Sequence, residues 1–358
     1  MRKVVYLINS LKKGGPVNML YTLIKYLDNT EFEVTVIALK ECLEENKTDF
    51  SKLSCNIITL NNKNLRQKIQ DVQLIINKIQ PHIVHSHGGI ADLVNSQLKK
   101  SYKSFSTIHC DPDEDFIMKK GRIIGYLRAT FFLYTLKKFD YPVACSKTVA
   151  NNIKKKRNMD FKYIRNGIDV ENISYIKNGS TREAYGINTD DVVLVFCGYL
   201  SKRKNVSYIL KAFENIKRKD VKLIVLGDGV EYASLKESRC EDNRIIFLGK
   251  VNNPYEFLNL ADYFISASLS EGLPLAVMEG MSSGLPAILS KIDSHMELKE
   301  CSQNGIELFS LSNIDDLIEK IEKVKKPDKY KIKAAQDTII GYFNASRMAS
   351  EYEKLYKI

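Results

Sequence analysis

The sequence predicts an α/β protein of two doubly wound, Rossmann-like domains facing a central cleft, and three observations predict it. The chain has 358 residues, more than one hydrophobic core usually organises, with an ordinary 44% hydrophobic content. Short β-branched runs alternate with longer segments of helical period. The alternation stops at a polar stretch, 171–186, and then restarts.

In the first half, residues 4–9, 33–39, 56–60, 82–87, 105–109 and 142–146 read as strands. Helix-like stretches such as 17–27, 65–79 and 90–99 lie between them. After a boundary near residue 168, the runs 192–197, 222–226, 245–248, 263–268, 287–289 and 306–309 form a second strand set, with helices such as 206–216 between. Strand and helix in alternation demand a parallel sheet covered on both faces, and such sheets bind ligands beyond the carboxyl ends of their strands. The last segment, 345–356, puts Met348, Tyr352, Leu355 and Tyr356 on one helical stripe, which reads as packing. No repeat of 20–50 residues or low-complexity tract is visible.

Composition narrows the function classes. No run of about 18 apolar residues occurs, and the opening Met1 to Asn9 turns polar too early for a signal peptide, so a cytoplasmic chain is expected. The seven cysteines are widely spaced with no Cys-x-x-Cys pair, which fits reduced, mostly buried thiols. A formal net charge of +11 attracts phosphates, anionic lipid or nucleic acid, although a lysine-rich coding bias accounts for part of it. No nucleic-acid-binding motif accompanies it, and the basic residues are spread through the chain, so no nucleic-acid partner is expected.

The strongest chemical signal follows the strand 263–268, where Leu269-Ser270-Glu271-Gly272-Leu273-Pro274 leads into a helix from about 275 to 282. Pro274 suits a first helical turn, and backbone around Gly272 can approach a ligand closely. The free amides of the helix start make a seat for a phosphate or diphosphate. Glu271 and Glu279 place a carboxylate on each side of that seat, better suited to sugar hydroxyls than to phosphate; two solvated glutamates on a capped helix is the plainer alternative. Gly14 and Gly15 precede another helix and offer a second backbone approach to a diphosphate, unless they form an ordinary tight turn. No histidine or cysteine set has ligand spacing and no Asp-x-Asp occurs, so neither a metal nor a cofactor is expected.

At these residues the sequence resembles the retaining glycosyltransferases of family 4, with the two-domain GT-B fold. Glu271 to Glu279 looks like that family's Glu-x7-Glu signature. Gly14-Gly15, Val84-His85-Ser86-His87-Gly88, Ser106-Thr107-Ile108-His109, Ala144-Cys145-Ser146, Asn166-Gly167-Ile168-Asp169 and Leu226-Gly227-Asp228-Gly229 follow in matching order over almost the whole chain. The resemblance implies that 1–168 with about 340–358 binds the acceptor and that 169–339 binds a nucleotide-sugar, with UDP-sugar the expected donor. It implies Glu271 at the donor sugar, Glu279 at the ribose, and donor contacts from Gly14, Gly15, Gly198, Gly227, Gly229, Gly272, Leu273 and Pro274. His109 would donate a hydrogen bond to the transferred sugar; His85 and His87 are either structural or on the acceptor side, and Asn166 falls on the acceptor side. Where the family carries Gly-Arg, this chain reads Gly198-Tyr199, so the leaving diphosphate would fall to Lys204, with Arg203 reaching in from the same loop or with the helix amides alone.

The implied activity is metal-independent, retaining sugar transfer to a glycan or lipid-linked acceptor in bacterial surface polysaccharide assembly. A UDP-sugar 2-epimerase on the same architecture and a non-catalytic relative are the alternatives. Residues 119–138 carry six cations and no acid among Ile, Leu, Phe and Tyr, a pattern that lies in an anionic lipid interface or, alternatively, forms a core helix with charged ends.

Overall fold

A computed structural model describes residues 1–44, 47–61, 64–171, 182–239 and 241–358. Cys240 and the middle of the polar stretch, 172–181, lie outside the described residues. The chain divides into two compact units, Met1–Ile168 with Asn344–Ile358, and Asp169–Phe343.

The first unit is built on strands β1 (Arg2–Ile8), β2 (Phe32–Ala38), β3 (Cys55–Thr59), β4 (Ile83–His87), β5 (Lys103–Ile108), β6 (Tyr141–Ala144) and β7 (Lys162–Tyr163). They form one parallel sheet in the order β3-β2-β1-β4-β5-β6-β7. Its helices are α1 (Gly15–Tyr26), α2 (Leu65–Ile79), α3 (Gly89–Asn95), α4 (Pro112–Lys120), α5 (Arg122–Leu136) and α6 (Lys147–Arg157). β4 is buried along its whole length, as a central strand covered on both faces must be.

The second unit repeats the plan with β8 (Val192–Cys197), β9 (Val221–Leu226), β10 (Ile245–Gly249), β11 (Tyr263–Ser266), β12 (Ala287–Ser290) and β13 (Ile306–Phe309), all parallel, in the order β10-β9-β8-β11-β12-β13. Around them lie α7 (Val206–Asn215), α8 (Tyr232–Glu237), α9 (Pro254–Leu258), α10 (Leu275–Ser282), α11 (Asp293–Cys301), α12 (Ile314–Lys323) and α13 (Lys329–Tyr342). A buried ion pair fastens this sheet at its amino edge: Arg182 meets Asp262 at 2.9 Å, and the same carboxylate oxygen accepts the Val193 amide at 2.9 Å. The last helix, α14 (Ala345–Lys357), belongs to the first unit.

Three expectations change. The edge strand β7 was not foreseen, because two exposed residues leave no period to detect. The basic aromatic segment is two helices, parted at Gly121 with φ +78°, a conformation that favours glycine. Of the six described thiols only Cys145 is buried, because Cys55, Cys197 and Cys301 stand at element ends where cover is partial.

Candidate active site

β11 delivers the chain to a buried loop, and α10 starts directly after it. Pro274 takes the N-cap position, just before the first turn where sequence had placed it, and no side chain caps the helix. The amino-terminal amides of α10 therefore lack the intrahelical or capping partner that a Ser or Asp would supply.

In this loop Glu271 is 9% exposed and is gripped from the loop after β8. Lys204 Nζ lies 2.5 Å from Glu271 Oε1, and Arg203 Nη1 lies 2.6 Å from Oε2 and 2.8 Å from the Ser270 carbonyl oxygen. The Ser268 hydroxyl donates to Oε1 at 2.8 Å, and the Leu269 amide donates to the Arg203 carbonyl at 2.8 Å, so backbone as well as charge joins the two loops. Burial pushes the Glu271 carboxyl up, but Lys204 and Arg203, with the hydrogen bonds from Lys204 and Ser268, outweigh it and hold the group at about 2. Tyr199, which stands in the expected arginine position, is exposed.

Glu279 lies one α10 turn further in, half-buried, and burial pushes its carboxyl up to about 7. Cys197 at the end of β8 is pushed up to about 12 by burial and by the charge of Glu279, with Lys204 opposing, so this thiol is not a nucleophile. Gly227 and Gly229 have a packing reason of their own. A Cβ on Gly227 would lie 1.9 Å from the Gly198 carbonyl oxygen, and one on Gly229 would lie 2.2 Å from that of Leu200. The two glycines let the loop after β9 seat the loop that carries Arg203 and Lys204.

Sequence reasoning missed His295, at the start of α11. It is fully buried, its Nδ1 lies 2.8 Å from the Ser290 carbonyl oxygen, and its Nε2 has no partner among the described residues. A carbonyl only accepts, so Nδ1 carries the proton and Nε2 is an unspent acceptor. Burial holds the imidazole down at about 4, with Glu271 acting against it, and the Ser290 hydroxyl donates to the Ser268 carbonyl at 2.7 Å. His295 thus belongs to the framework behind Glu271. Its position after the strand 287–289 was the available signal.

In the first unit His85, His87 and His109 come together at the carboxyl ends of β4 and β5. His87 Nδ1 and His109 Nε2 are 3.2 Å apart, and His85 stacks on His87 with centroids 4.3 Å apart. Burial lowers all three, His109 to about 4, so they are neutral rings near neutral pH. His85 is tied on both sides, to Tyr356 at 2.6 Å and Thr107 at 2.8 Å, which makes it structural. His109 keeps Nδ1 for another partner. Gly14 caps α1 without a side-chain hydrogen bond, and a Cβ there would meet nothing nearer than the Lys12 carbonyl at 3.9 Å. Asn166 is buried with no partner for its Oδ1 among the described residues, and Gly167 beside it is required because a Cβ would lie 2.3 Å from the Asn344 carbonyl oxygen. Among the described residues no group of three or more His, Cys, Asp or Glu is placed to hold a metal ion.

These arrangements sit in regions with clear relatives. Residues 13–172 match the family described as Glycosyltransferase Family 4, and residues 178–338 match Glycosyl transferases group 1. The chain is a GT-B glycosyltransferase. The O-antigen biosynthesis glycosyltransferase WclY of Escherichia coli is 27% identical to it over 99% of this chain and 98% of that one. The UDP-Gal:alpha-D-GlcNAc-diphosphoundecaprenol alpha-1,3-galactosyltransferase of Escherichia coli is 30% identical over 55% of this chain and 54% of that one. Among solved structures, Anabaena HepE in complex with UDP and glucose superposes with a TM-score of 0.84 at 19% identity, over 100% of each chain. The GT-B fold of this glycosyltransferase is thus common to proteins of low sequence identity.

Proposed function

We propose that this glycosyltransferase moves a hexose from a UDP-sugar to a glycan or lipid-linked glycan in the assembly of a bacterial surface polysaccharide, with retention of configuration and without a metal. The observation that carries this reading is Glu271, held ionised by Arg203 and Lys204 beside the uncapped start of α10. The named activities of WclY and of the galactosyltransferase supply the pathway and the lipid-linked acceptor by analogy.

The donor diphosphate takes the α10 amides and the two cations. Lys204 brings three N–H donors, one of them on Glu271, so it bridges carboxylate and phosphate without giving either up. Arg203, from the same loop, serves where Tyr199 cannot. This positive charge does the work a metal would do as the leaving group becomes more negative. Glu271, ionised near neutrality, accepts hydrogen bonds from the sugar hydroxyls and favours positive charge developing at the anomeric carbon. Glu279 holds the ribose. The anomeric carbon–oxygen bond to the diphosphate breaks, the acceptor oxygen bonds to that carbon from the same face, and the acceptor proton passes to the departing diphosphate.

A thermal-shift screen of UDP-sugars and GDP-mannose identifies the donor by the stability it adds. With that donor, Glu271→Ala lowers transfer by about 10²–10³-fold with the circular dichroism unchanged. Undiminished transfer by this variant would remove Glu271 from the site. Conversion of the donor sugar without any acceptor would instead assign a 2-epimerase, and turnover abolished by a chelator would end the metal-independent reading.

A further inference from the structure

We propose that the outer face of α5 is a docking surface for anionic phospholipid bilayers. α5 is apolar on both sides. Its inner side buries Gly125, Ala129, Leu133 and Leu136. A Cβ on Gly125 would lie 2.5 Å from the Ile117 Cα, so α4 and α5 pack backbone to backbone. On the opposite side Ile123 is 79% exposed, Ile124 56%, Leu127 62%, Phe131 61% and Tyr134 65%.

Ile123, Leu127, Phe131 and Tyr134 recur at helical spacing and, with Ile124, fill a stripe roughly 100° wide. Singly exposed apolar residues are ordinary on a soluble surface, but five neighbours on one helix are a patch, and a helix apolar all round needs cover on both sides.

Charge selects the occupant. Exposed Lys119, Lys120, Arg122, Arg128, Lys137 and Lys138 surround the stripe, and no acid occurs between residues 116 and 139. Three of the acids before α5 are engaged by α6, where Lys156 lies 2.6 Å from Asp111 and 2.9 Å from Glu114 and Arg157 pairs with Asp113, while Asp115 lies 2.7 Å from Lys119 and offsets that one charge of the six. A second copy of the chain would bring these cations against their like. An anionic bilayer takes the apolar stripe below its headgroups and the Lys and Arg ammonium and guanidinium groups among its phosphates. Tyr126 is not part of the inserting set, because Arg157 covers its ring at 4.0 Å. The ion pairs to α6 also hold the hairpin in place, so little ordering entropy opposes docking.

The test is flotation of the full-length protein with phosphatidylglycerol–phosphatidylcholine vesicles against phosphatidylcholine alone. Wild type is expected to float with the anionic vesicles and to be released as salt screens the attraction. Leu127→Glu with Phe131→Glu lowers the partition coefficient about hundredfold while the melting temperature stays put, since both side chains are exposed. Arg122→Gln with Arg128→Gln costs about tenfold and most of the preference for anionic lipid. Failure of wild type to float with anionic vesicles at low salt overturns the proposal, as does unchanged flotation of the Glu pair. A dimer in solution that the Glu pair dissociates, without vesicle binding by wild type, assigns the face to self-association instead. None of these outcomes bears on sugar transfer, which is measured separately.

Discussion

Two glutamates eight positions apart are driven in opposite directions, and the direction fixes what each can do. Glu271 cannot deliver a proton near neutral pH, because Lys204 and Arg203 hold it at about 2. Glu279, shifted by burial alone, is close to half-protonated at pH 7 and can either donate or accept. The sign of its effect on stability follows. Its folded value, about 7, lies above the ordinary 4.5, so the folded state binds the proton more tightly. Its contribution is full below pH 4.5 and is lost as pH rises through 7. Glu279→Gln should remove that slope from urea-unfolding free energies and stabilise the free protein at pH 8 by about 1–3 kcal/mol. A slope that persists in the variant would mean that Glu279 is not desolvated as placed. At this scale Glu271 was legible because a carboxylate before a glycine and a helix start is a sequence pattern. Arg203 reaching in from its loop was one of two options the sequence left open, and that it meets Glu271 itself was not legible, since only tertiary packing places it there. His295 offered sequence only its position after a strand, because burial and an unspent ring nitrogen are not properties of a sequence window.

Elements were legible where their period was clean. Every strand of both sheets but β7 stood out as a β-branched run, and the helix after Pro274 was placed to the residue. The α4–α5 hairpin was not, because α5 buries one apolar face and exposes another, which erases the amphipathic period. Loops carry the remaining information, and there glycine serves packing as much as ligand approach. The sequence reading assigned Gly227 to the donor, yet the structure gives it a sufficient structural duty: its φ of +122° favours glycine, and a methyl group would strike the Gly198 carbonyl. Gly227→Ala should therefore destabilise the second unit by about 2–4 kcal/mol and loosen the loop that carries Lys204. The expected signature is a lower unfolding midpoint in urea together with weaker donor binding. Weaker binding at unchanged stability would instead mean that Gly227 acts on the ligand directly.

At the scale of the molecule, the chain leaves its first unit at Ile168, builds the second, and returns at Asn344. The return is structural on its own terms. α14 buries Met348, Tyr352 and Tyr356 completely or nearly so, as the packing stripe read from sequence expects, whereas the fourth member, Leu355, is only partly covered. The stripe also carries polar work that spacing alone did not show. The Tyr356 hydroxyl meets Tyr6 at 3.0 Å and His85 at 2.6 Å, and that of Tyr352 meets Thr107 at 2.8 Å. Residues 345–357 therefore cover part of the first unit's sheet from far along the chain. Deleting 345–358 would expose Tyr6, Phe32 and His85, which are buried here, and strand the Tyr6 hydroxyl and the His85 Nδ1. Three large side chains at about 1.5–3 kcal/mol each, with their hydrogen bonds, approach the whole stability of a domain. The truncated chain should lose protection from protease throughout 1–168 while 182–343 stays resistant, because α14 belongs to the first unit. Equal protection of both units after truncation would show that the helix only decorates the sheet, whereas Tyr352→Phe and Tyr356→Phe together, which keep the packing, should cost a smaller part of the stability, about 1–3 kcal/mol.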